Sequence, residues 1–324
     1  MKIFTIVGAR PNFIKIDPEL KQTLVHTGQH YDYRMSQLFF KERKLPKPKW
    51  NLECRTVGQM IDRLKKLFEK EKPSLVLVFG DTNSGLAGAL AAAYSGIPLA
   101  HIEAGLRSYN RTMPEEINRV TIDHLSTILL CPNNTAALNL LREGIKENVH
   151  IVGDPSFDAM NDFMPIKRAK NYQQYIFLTL HRNINVDDPE RLKYIFEQLG
   201  QTKEKYIFPL HPRTKKTIDR NKLSIPENIK VTIPSSYKQT LALISNAKMV
   251  VTDSGGIQRE AYWMGIPLVI IRKETEWIEI IISGSGTLAW GDIKSAIETF
   301  KSKQVSPPSF GVNTKIREVL YRYV

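Results

Sequence analysis

Short apolar segments alternate with amphipathic, helix-like stretches along most of the chain. Most of these segments are apolar at consecutive positions rather than at every second one, and a helix-length stretch separates each from the next. Strands that are apolar on both faces are typical of parallel sheets covered by helices. The pattern therefore predicts an α/β protein. The expected strands are 2–7, 24–26, 75–79, 98–102, 128–131 and 149–152, followed by 175–180, 205–209, 229–232, 249–252 and 267–271.

The alternation breaks once, at residues 162–174, where a polar and basic stretch follows Pro165. A stretch of this kind without periodicity is typical of a linker. The parts before and after it resemble each other, because each has a strand, a tight polar turn, a helix and a Gly-Ile-Pro sequence, at 96–98 and 265–267. We therefore predict two domains of similar architecture.

Basic residues outnumber acidic ones, since 46 Lys and Arg face 33 Asp and Glu, and the 324-residue chain has a net charge of +13. A positive balance attracts anions. The basic residues are nevertheless spread along the chain, without the dense tract and interleaved aromatics that are typical of nucleic-acid binding. We expect a small phosphorylated ligand and no nucleic acid partner.

Further features of the composition exclude other classes. No apolar run approaches the roughly 18 residues of a membrane span, and no signal-peptide pattern is visible, so we expect a cytoplasmic protein without a membrane partner. Cys54 and Cys131 have neither redox nor metal-binding spacing. No set of histidines and acids has metal-ligand spacing, so we expect no metal and no cofactor.

Polar residues follow the predicted strands directly. In parallel sheets, ligands bind at the carboxyl ends of the strands, so these residues are the candidates for a site. They are Arg10 and Lys15 after the first strand, Gln29 and His30 after the second, then Asp81, Glu103, His181, His211 with Arg213, and finally Ser254, Gly255 and Gly256.

A phosphate site is predicted at Ser254-Gly255-Gly256. Two glycines at a strand-to-helix junction let backbone amides approach an anion, and the helix dipole adds its positive end; the alternative is a plain tight turn. Glu260, about one helical turn further on, can accept hydrogen bonds from ribose hydroxyls. The alternative is a surface charge near the start of the helix. Arg10 offers a planar fork to a phosphate and Lys15 a point charge. The segment around Arg10 has a single glycine, so it lacks the dinucleotide-binding pattern.

Three carboxylates arrive from separate predicted elements, at Asp81, Glu103 and Glu115. Near one sugar, such a set can supply a base, an acid and stabilisation of a cationic transition state. The alternative for Asp81 is a helix N-cap, and the alternative for Glu115 is a charge that stabilises the helix dipole. Which of the three carboxylates acts as the base stays open. His181 is a further candidate at a strand end, and His211 is a cleft-lining or packing residue.

Several of these segments together carry a family resemblance. They are Gly8-Ala9-Arg10-Pro11 with Lys15, residues 25–30, Gly80-Asp81-Thr82, residues 101–107, Pro114-Glu115-Glu116 with Asn118-Arg119, His181-Arg182, residues 252–258 with Glu260, and Arg272 with Thr275-Glu276. In this order they resemble the non-hydrolysing UDP-N-acetylglucosamine 2-epimerases. The resemblance implies an α/β fold of GT-B type, in which two Rossmann-like, doubly wound domains face each other across a cleft.

The resemblance also implies domain limits and roles. The first domain would span 1–165, the second 166–311, and a closing helix at 312–324 would return to the first domain. Asp81, Glu103, Glu115 and His181 would be catalytic. A UDP-sugar would be bound by Arg10, Lys15, His211, Arg213, Ser235, Ser254, Gly255, Gly256, Glu260 and Arg272. Gln29 and His30 match a second, activating UDP-sugar site of bacterial members, and the likeness suggests a homodimer.

The implied reaction is the reversible 2-epimerisation of UDP-N-acetylglucosamine to UDP-N-acetylmannosamine, through elimination of UDP to 2-acetamidoglucal and its re-addition. Trp277 replaces an arginine of many bacterial members and resembles the branch that acts on UDP-2,3-diacetamido-glucuronic acid, an alternative substrate. Three further functions stay open, namely those of a GT-B glycosyltransferase acting on a UDP-sugar, a hydrolysing epimerase and a non-catalytic polyanion-binding protein.

Overall fold

The computed structural model describes residues 2–28, 45–164, 174–303 and 311–323. The chain divides into two compact units, Met1–Ala159 with Ser309–Val324, and Met160–Pro308. The domain limit expected after residue 165 lies outside the described residues. Each unit contains one parallel sheet and an apolar core of its own.

The first unit contains a seven-stranded sheet in the order β3-β2-β1-β4-β5-β6-β7, with all neighbours parallel. Its strands are β1 (Ile3–Val7), β2 (Gln22–His26), β3 (Trp50–Asn51), β4 (Leu75–Phe79), β5 (Leu99–Ile102), β6 (Ile128–Cys131) and β7 (Val149–Ile151). The helices of its first segment are α1 (Arg10–Ile14), α2 (Val57–Glu71), α3 (Asn83–Tyr94), α4 (Pro114–Leu125) and α5 (Asn134–Arg142), and this segment ends within α6 (Pro155–Asn161).

The second unit contains a six-stranded sheet in the order β10-β9-β8-β11-β12-β13, again with all neighbours parallel. Its strands are β8 (Ile176–Thr179), β9 (Tyr206–Pro209), β10 (Ile229–Thr232), β11 (Met249–Thr252), β12 (Leu268–Ile270) and β13 (Gly286–Leu288). Its helices are α7 (Asn183–Val186), α8 (Pro189–Gly200), α9 (Pro212–Asn221), α10 (Tyr237–Ser245), α11 (Gly255–Trp263), α12 (Ile278–Ile282) and α13 (Ile293–Thr299).

The predicted α/β class is confirmed by these two sheets. In both of them the chain starts at a central strand, moves to one edge and then returns to build the other side, which is the doubly wound order. The sequence pattern does not predict β3 and β13. The reason is that β3 has only two residues and β13 begins with a glycine, so neither forms an apolar run.

Helix α3 can approach the sheet closely because its residues are small. It contains five alanines and two glycines among its 12 residues. A Cβ atom on Gly88 would lie 3.0 Å from side-chain atoms of both Ile6 in β1 and Val78 in β4. The Thr82 side chain caps the helix by accepting a hydrogen bond from the N–H of Gly85 at 3.1 Å. The helix thus packs on β1 and on β4, the strand that precedes Asp81.

Helix α2 is the longest among the described residues, with 15 residues. Its buried side chains, Met60, Leu64, Leu67 and Phe68, recur at helical spacing, so one stripe packs on the core. Within the described ranges, no helix is both long and apolar enough to cross a membrane.

The last helix, α14 (Val312–Leu320), belongs to the first unit, although the second unit precedes it in the chain. The backbone N–H of Asn313 donates a hydrogen bond to Asp158 at 2.7 Å. Arg317 forms an ion pair with Asp17 at 2.6 Å. The chain therefore crosses between the units twice.

Candidate active site

Two of the predicted carboxylates follow neighbouring strands of the first unit. Asp81 comes two residues after β4, and Glu103 comes directly after β5. Gly80 lies between β4 and Asp81 with φ +58°, and a Cβ atom on it would lie 2.7 Å from Glu103 Oε2 and 3.7 Å from Lys15 Nζ. A glycine at position 80 therefore leaves the space that the Glu103 side chain occupies.

Glu103 and Lys15 form a buried ion pair, with side chains that are only 5% and 6% exposed. A buried ion pair adds little net stability, because desolvation offsets most of the attraction. Glu103 also has φ +72°, a left-handed conformation that is rare for residues other than glycine. Such strain persists mainly where the surrounding structure holds a residue for function. Both features favour a chemical role for Glu103.

Helix α4 supplies the groups around Asp81. Arg119 forms ion pairs with Asp81 and with Glu116, the latter at 3.1 Å. The side-chain amide of Asn118 donates a hydrogen bond to the Asp81 carbonyl oxygen at 2.9 Å. The third predicted carboxylate, Glu115, is half-buried in the first turn of the same helix. The structure therefore holds Asp81 against the middle of α4, through Asn118 and Arg119.

A fully buried histidine connects the turns that carry Asp81 and Glu103. His101 lies in β5, where its Nδ1 is 2.6 Å from Asp123 Oδ1 and its Nε2 is 2.9 Å from the carbonyl oxygen of Gly80. Both ring nitrogens therefore lie within hydrogen-bond distance of an oxygen atom. His101 thereby links α4 to the residue before Asp81.

Asp123 is the centre of this buried network. Its Oδ2 accepts hydrogen bonds from the backbone N–H of Gly105 at 3.0 Å and from Arg107 at 2.7 Å. Burial by itself raises the pKa of Asp123, but the neighbouring His101 and Arg107 outweigh burial and hold this pKa below its usual value. For Arg107 the effects have the opposite sign. Burial lowers its pKa, but the hydrogen bonds to Glu143 and Asp123 outweigh burial and raise this pKa above the ordinary value.

Gly105 ends the turn that carries Glu103, with φ +80°. A Cβ atom at this position would overlap the carbonyl oxygen of Ala136. For Gly105→Ala we expect a loss of about 3 kcal/mol or more in the free energy of unfolding, from overpacking added to left-handed strain. Urea denaturation measures the loss.

Gly96→Ala is the matched control for this change. Gly96 also has positive φ, +65°, but a Cβ atom there would meet no atom within 4 Å. The control therefore carries the backbone strain alone, about 1 kcal/mol. Equal losses in the two variants would contradict the packing argument for Gly105.

The predicted phosphate turn, Ser254-Gly255-Gly256, starts α11 in the second unit. The Ser254 side chain is the N-cap and accepts a hydrogen bond from the N–H of Ile257 at 3.5 Å. The first amides of a helix have no intrahelical acceptor and lie at the positive end of its dipole. A Cβ atom on Gly256 would have Ser254 Oγ as its nearest neighbour, at 4.0 Å, so the turn has room for a ligand.

The buried Asp253 positions the predicted histidine next to this turn. Its carboxylate accepts hydrogen bonds from the backbone N–H groups of His181 and Arg182, at 3.1 and 3.0 Å, and from the side-chain amide of Asn185 at 3.1 Å. His181 Nδ1 lies 3.5 Å from the same carboxylate. The residues after β8 are thereby fixed to the end of β11.

His211 and Arg213 are close to this group in different ways. The His211 ring lies 5.5 Å from the His181 ring, centroid to centroid. His211 Nδ1 accepts a hydrogen bond from the Arg213 N–H at 3.2 Å, so His211 caps α9. The exposed Arg213 guanidinium forms two hydrogen bonds with Asp187, one of them at 2.7 Å.

The other predicted residues of the second unit lie on several elements. Arg272 is buried and forms a two-point ion pair with Glu276, at 2.8 and 3.1 Å. Glu260 is buried on α11, one turn beyond Gly256. Ser235 is half-buried directly before the N-cap of α10. Gln29, His30 and the side chain of Arg10 lie outside what the structure describes.

Two groups of predicted residues are therefore assembled, one in each unit. In the first, Lys15 and Glu103 pair next to Gly80, the residue before Asp81, and in the second, His181 and His211 adjoin each other. Among the described residues, no set of three or more His, Cys, Asp or Glu side chains could hold a metal ion.

Three residues that organise these groups have no role predicted from the sequence, namely Asp123, Asn185 and Asp253. The signal for them in the sequence is weak. Asp253 directly follows an apolar strand, and Asp123 lies in a helix that is otherwise an ordinary amphipathic one. Only their burial, at 0–1% exposure, shows that each must be paired within the fold.

Residues 13–309 match a family model described as UDP-N-acetylglucosamine 2-epimerase. The chain belongs to this family. The match spans most of both units. Because the family consists of isomerases, the chain is an enzyme of that class.

Relatives of this epimerase-family chain agree with it over nearly its whole length. The UDP-N-acetylglucosamine 2-epimerase of Methanocaldococcus jannaschii is 41% identical, with 92% of this chain and 90% of the relative covered. The UDP-2,3-diacetamido-2,3-dideoxy-D-glucuronate 2-epimerase of Pseudomonas aeruginosa is 43% identical, with 89% and 88% covered.

The solved structures confirm the GT-B type of α/β fold for this family member. A crystal structure of the Methanocaldococcus jannaschii UDP-GlcNAc 2-epimerase in complex with UDP-GlcNAc and UDP matches with a TM-score of 0.90 at 39% identity. The match covers 99% of this chain and 100% of that one.

Proposed function

We propose that this protein catalyses the reversible 2-epimerisation of UDP-N-acetylglucosamine to UDP-N-acetylmannosamine, by eliminating UDP to 2-acetamidoglucal and adding it back. The observation that carries the proposal is the buried Lys15–Glu103 pair beside Asp81, at the ends of neighbouring strands. In a family of epimerases of UDP-sugars, a carboxylate held in this way is suited to move the proton on C2.

The chemistry of the sugar explains why a nucleotide must leave. The C2 proton lies next to an acetal carbon, and no carbonyl group stabilises the carbanion that simple deprotonation would form. In the proposed step the C1–O bond breaks, its electron pair leaves with UDP, and the C2–H electrons form the C1=C2 bond while a base takes the proton. In the reverse step UDP oxygen adds to C1 and a proton is delivered to the opposite face of C2.

The first unit would supply the groups for proton transfer and charge stabilisation. We assign catalytic roles to Asp81, Glu103 and Glu115, whose carboxylates stabilise the positive charge that develops at C1. Arg119 holds Asp81 in place. We assign His181 of the second unit to the diphosphate side of the substrate, since Asp253 holds it beside the predicted phosphate turn.

The second unit would bind the nucleotide. Amide groups at the start of α11 suit a diphosphate, and the buried Glu260 suits ribose hydroxyls. The substrate-binding residues that we propose in this unit are His211, Arg213, Ser235, Ser254, Gly255, Gly256, Glu260 and Arg272. Arg10 and Lys15 of the first unit complete the proposed set. We further propose that the active protein is a homodimer, which light scattering at assay concentration tests.

A second candidate substrate is UDP-2,3-diacetamido-2,3-dideoxy-D-glucuronate. The observation that favours it is the 43% identity to the Pseudomonas aeruginosa relative, which is named for that sugar. The reaction and the roles of the carboxylates would be the same. The two substrates are distinguished by comparing kcat/KM for each with the same protein preparation.

The proposal is tested by following UDP-N-acetylglucosamine with this protein alone in deuterated water by ¹H and ³¹P NMR. We expect a mixture of the gluco and manno UDP-sugars, with deuterium at C2 of both and the diphosphate linkage intact. Free N-acetylmannosamine with UDP would instead identify a hydrolysing epimerase. An unchanged UDP-sugar that is consumed only when an acceptor is added would identify a glycosyltransferase.

A further inference from the structure

The side chain of Trp277 lies directly against the proposed phosphate turn. Trp277 immediately precedes α12 and is only 6% exposed. A Cβ atom on Gly255 would lie 3.6 Å from its indole Nε1 and 3.9 Å from a guanidinium nitrogen of Arg182. The indole nitrogen therefore faces the first residue of α11.

The indole N–H of Trp277 has no acceptor among the residues that the structure describes. The hydrogen bonds that Trp277 does make there involve its backbone: its N–H donates to Thr275 Oγ1 at 3.2 Å, and its carbonyl oxygen accepts from the N–H of Ile280 at 3.1 Å. Indole nitrogen is a donor only, and buried indole N–H groups normally have a partner. A side chain more than nine-tenths buried thus presents an unused donor to the turn.

Contacts to α11 hold the ring in this orientation. The guanidinium carbon of Arg259 lies 4.4 Å from the centre of the Trp277 ring, in a cation–π contact. Thr275 Oγ1, which accepts from Trp277, itself donates to Gln258 at 2.7 Å. Because Gln258 and Arg259 belong to the helix that forms the turn, the indole and the turn are fixed relative to each other.

The groups around Gly255 are donors of three kinds, namely helix amides, the Arg182 guanidinium and the Trp277 indole. Asp253, the nearest carboxylate along the chain, is buried and already accepts backbone hydrogen bonds. Such a set selects a ligand that brings only acceptors, as phosphate oxygens do.

We propose that Trp277 Nε1–H donates a hydrogen bond to a diphosphate oxygen of the UDP-sugar bound at Ser254-Gly255-Gly256. The inference rests on the nucleotide site of the proposed function and adds a residue to it. Trp277 is neutral, so it orients the diphosphate without adding charge to the site.

The first test compares UDP and uridine binding to wild-type protein and Trp277→Phe. Phenylalanine keeps an aromatic face for Arg259 but has no N–H. A hydrogen bond to a charged group contributes enough that the dissociation constant for UDP is expected to rise about 10-fold to 100-fold. Uridine, which has no phosphate, is expected to bind both proteins within about twofold of each other, measured by competition.

The matched control is Trp263→Phe. Trp263 ends the same helix, α11, and its ring lies 5.9 Å from the Arg259 guanidinium. At the helical rise, it is about 12 Å along the axis from Gly255. The control removes an indole N–H next to the same arginine but away from the turn, so UDP binding is expected to stay unchanged.

A second measurement reports the hydrogen bond directly. In protein with ¹⁵N-labelled tryptophan, the indole signal that disappears in Trp277→Phe identifies Trp277. Its proton resonance is expected to move downfield on addition of UDP and to stay in place with uridine.

Two results would overturn the inference. One is an unchanged UDP dissociation constant in Trp277→Phe with an unmoved indole signal; the other is an equal loss of UDP and uridine binding, which would show a packing role. If the wild-type protein epimerises UDP-N-acetylglucosamine in either case, the proposed function stands without this contact. A wild-type protein that binds no UDP would remove the site and the inference together.

Discussion

Glu103→Gln is expected to lower kcat for exchange of the C2 hydrogen by about 10²-fold to 10⁴-fold, the range typical of a lost acid or base. Glutamine has nearly the same shape but cannot take or deliver the proton, and it leaves Lys15 without its partner carboxylate. Because most of the residues assigned to the nucleotide lie in the second unit, UDP affinity is expected to stay within about twofold. Deuterium incorporation and UDP titration measure the two quantities on one preparation.

Glu19→Gln is the control for the loss of one carboxylate. Glu19 belongs to the same unit, and its side chain is 74% exposed in an ion pair with Arg317 at 2.8 Å. Exposed ion pairs contribute little, so turnover and UDP binding are expected to match the wild-type values. A Glu103→Gln variant with turnover within about threefold of wild type would remove Glu103 from the mechanism.

Asp123→Asn is expected to lower the free energy of unfolding by about 3–5 kcal/mol, the usual cost of breaking a buried ion pair from one side. The substitution leaves Arg107 and the His101 ring buried opposite a neutral amide, and it also disturbs the acceptor of the Gly105 N–H. Urea denaturation at neutral pH measures the loss. A loss below about 1 kcal/mol would contradict the assigned role of Asp123.

Asp219→Asn is the matched control for that change. Asp219 also forms an ion pair, with Lys215, but the two side chains are 59% and 60% exposed. The expected change is below about 0.5 kcal/mol. The contrast between the two variants isolates burial as the cause of the larger effect.

The Asp123 carboxylate makes a pH-dependent contribution to stability. The pKa of Asp123 is lowered in the folded protein, so below the unfolded value of about 4 the unfolded chain binds more protons. The contribution of Asp123 is therefore complete above about pH 4 and is lost as the pH falls through the lowered folded value. Asp123→Asn is expected to lack this part of the acid destabilisation.

A run of consecutive apolar residues, which marks a strand buried on both faces, can be read from a short stretch of sequence. Consecutive apolar positions, such as Leu75–Phe79, therefore predict a parallel sheet without any knowledge of the strand's neighbours. The same holds for the Ser254-Gly255-Gly256 turn, because its chemistry lies in the residues at one junction. Strands that lack an apolar run, such as Gly286–Leu288, cannot be predicted in this way.

The sequence by itself determined the fold class, the repeated strand-turn-helix design and the residues at the strand ends. Tertiary structure decided which of them are partners. Lys15 and Glu103 are 88 positions apart, and His181 and Asp253 are 72 apart. These pairs form because the first sheet places β1, β4 and β5 side by side, and the second places β8 next to β11, against their order in the chain. Hydrogen bonds and ion pairs depend on distance in space, so their partners follow from that strand order.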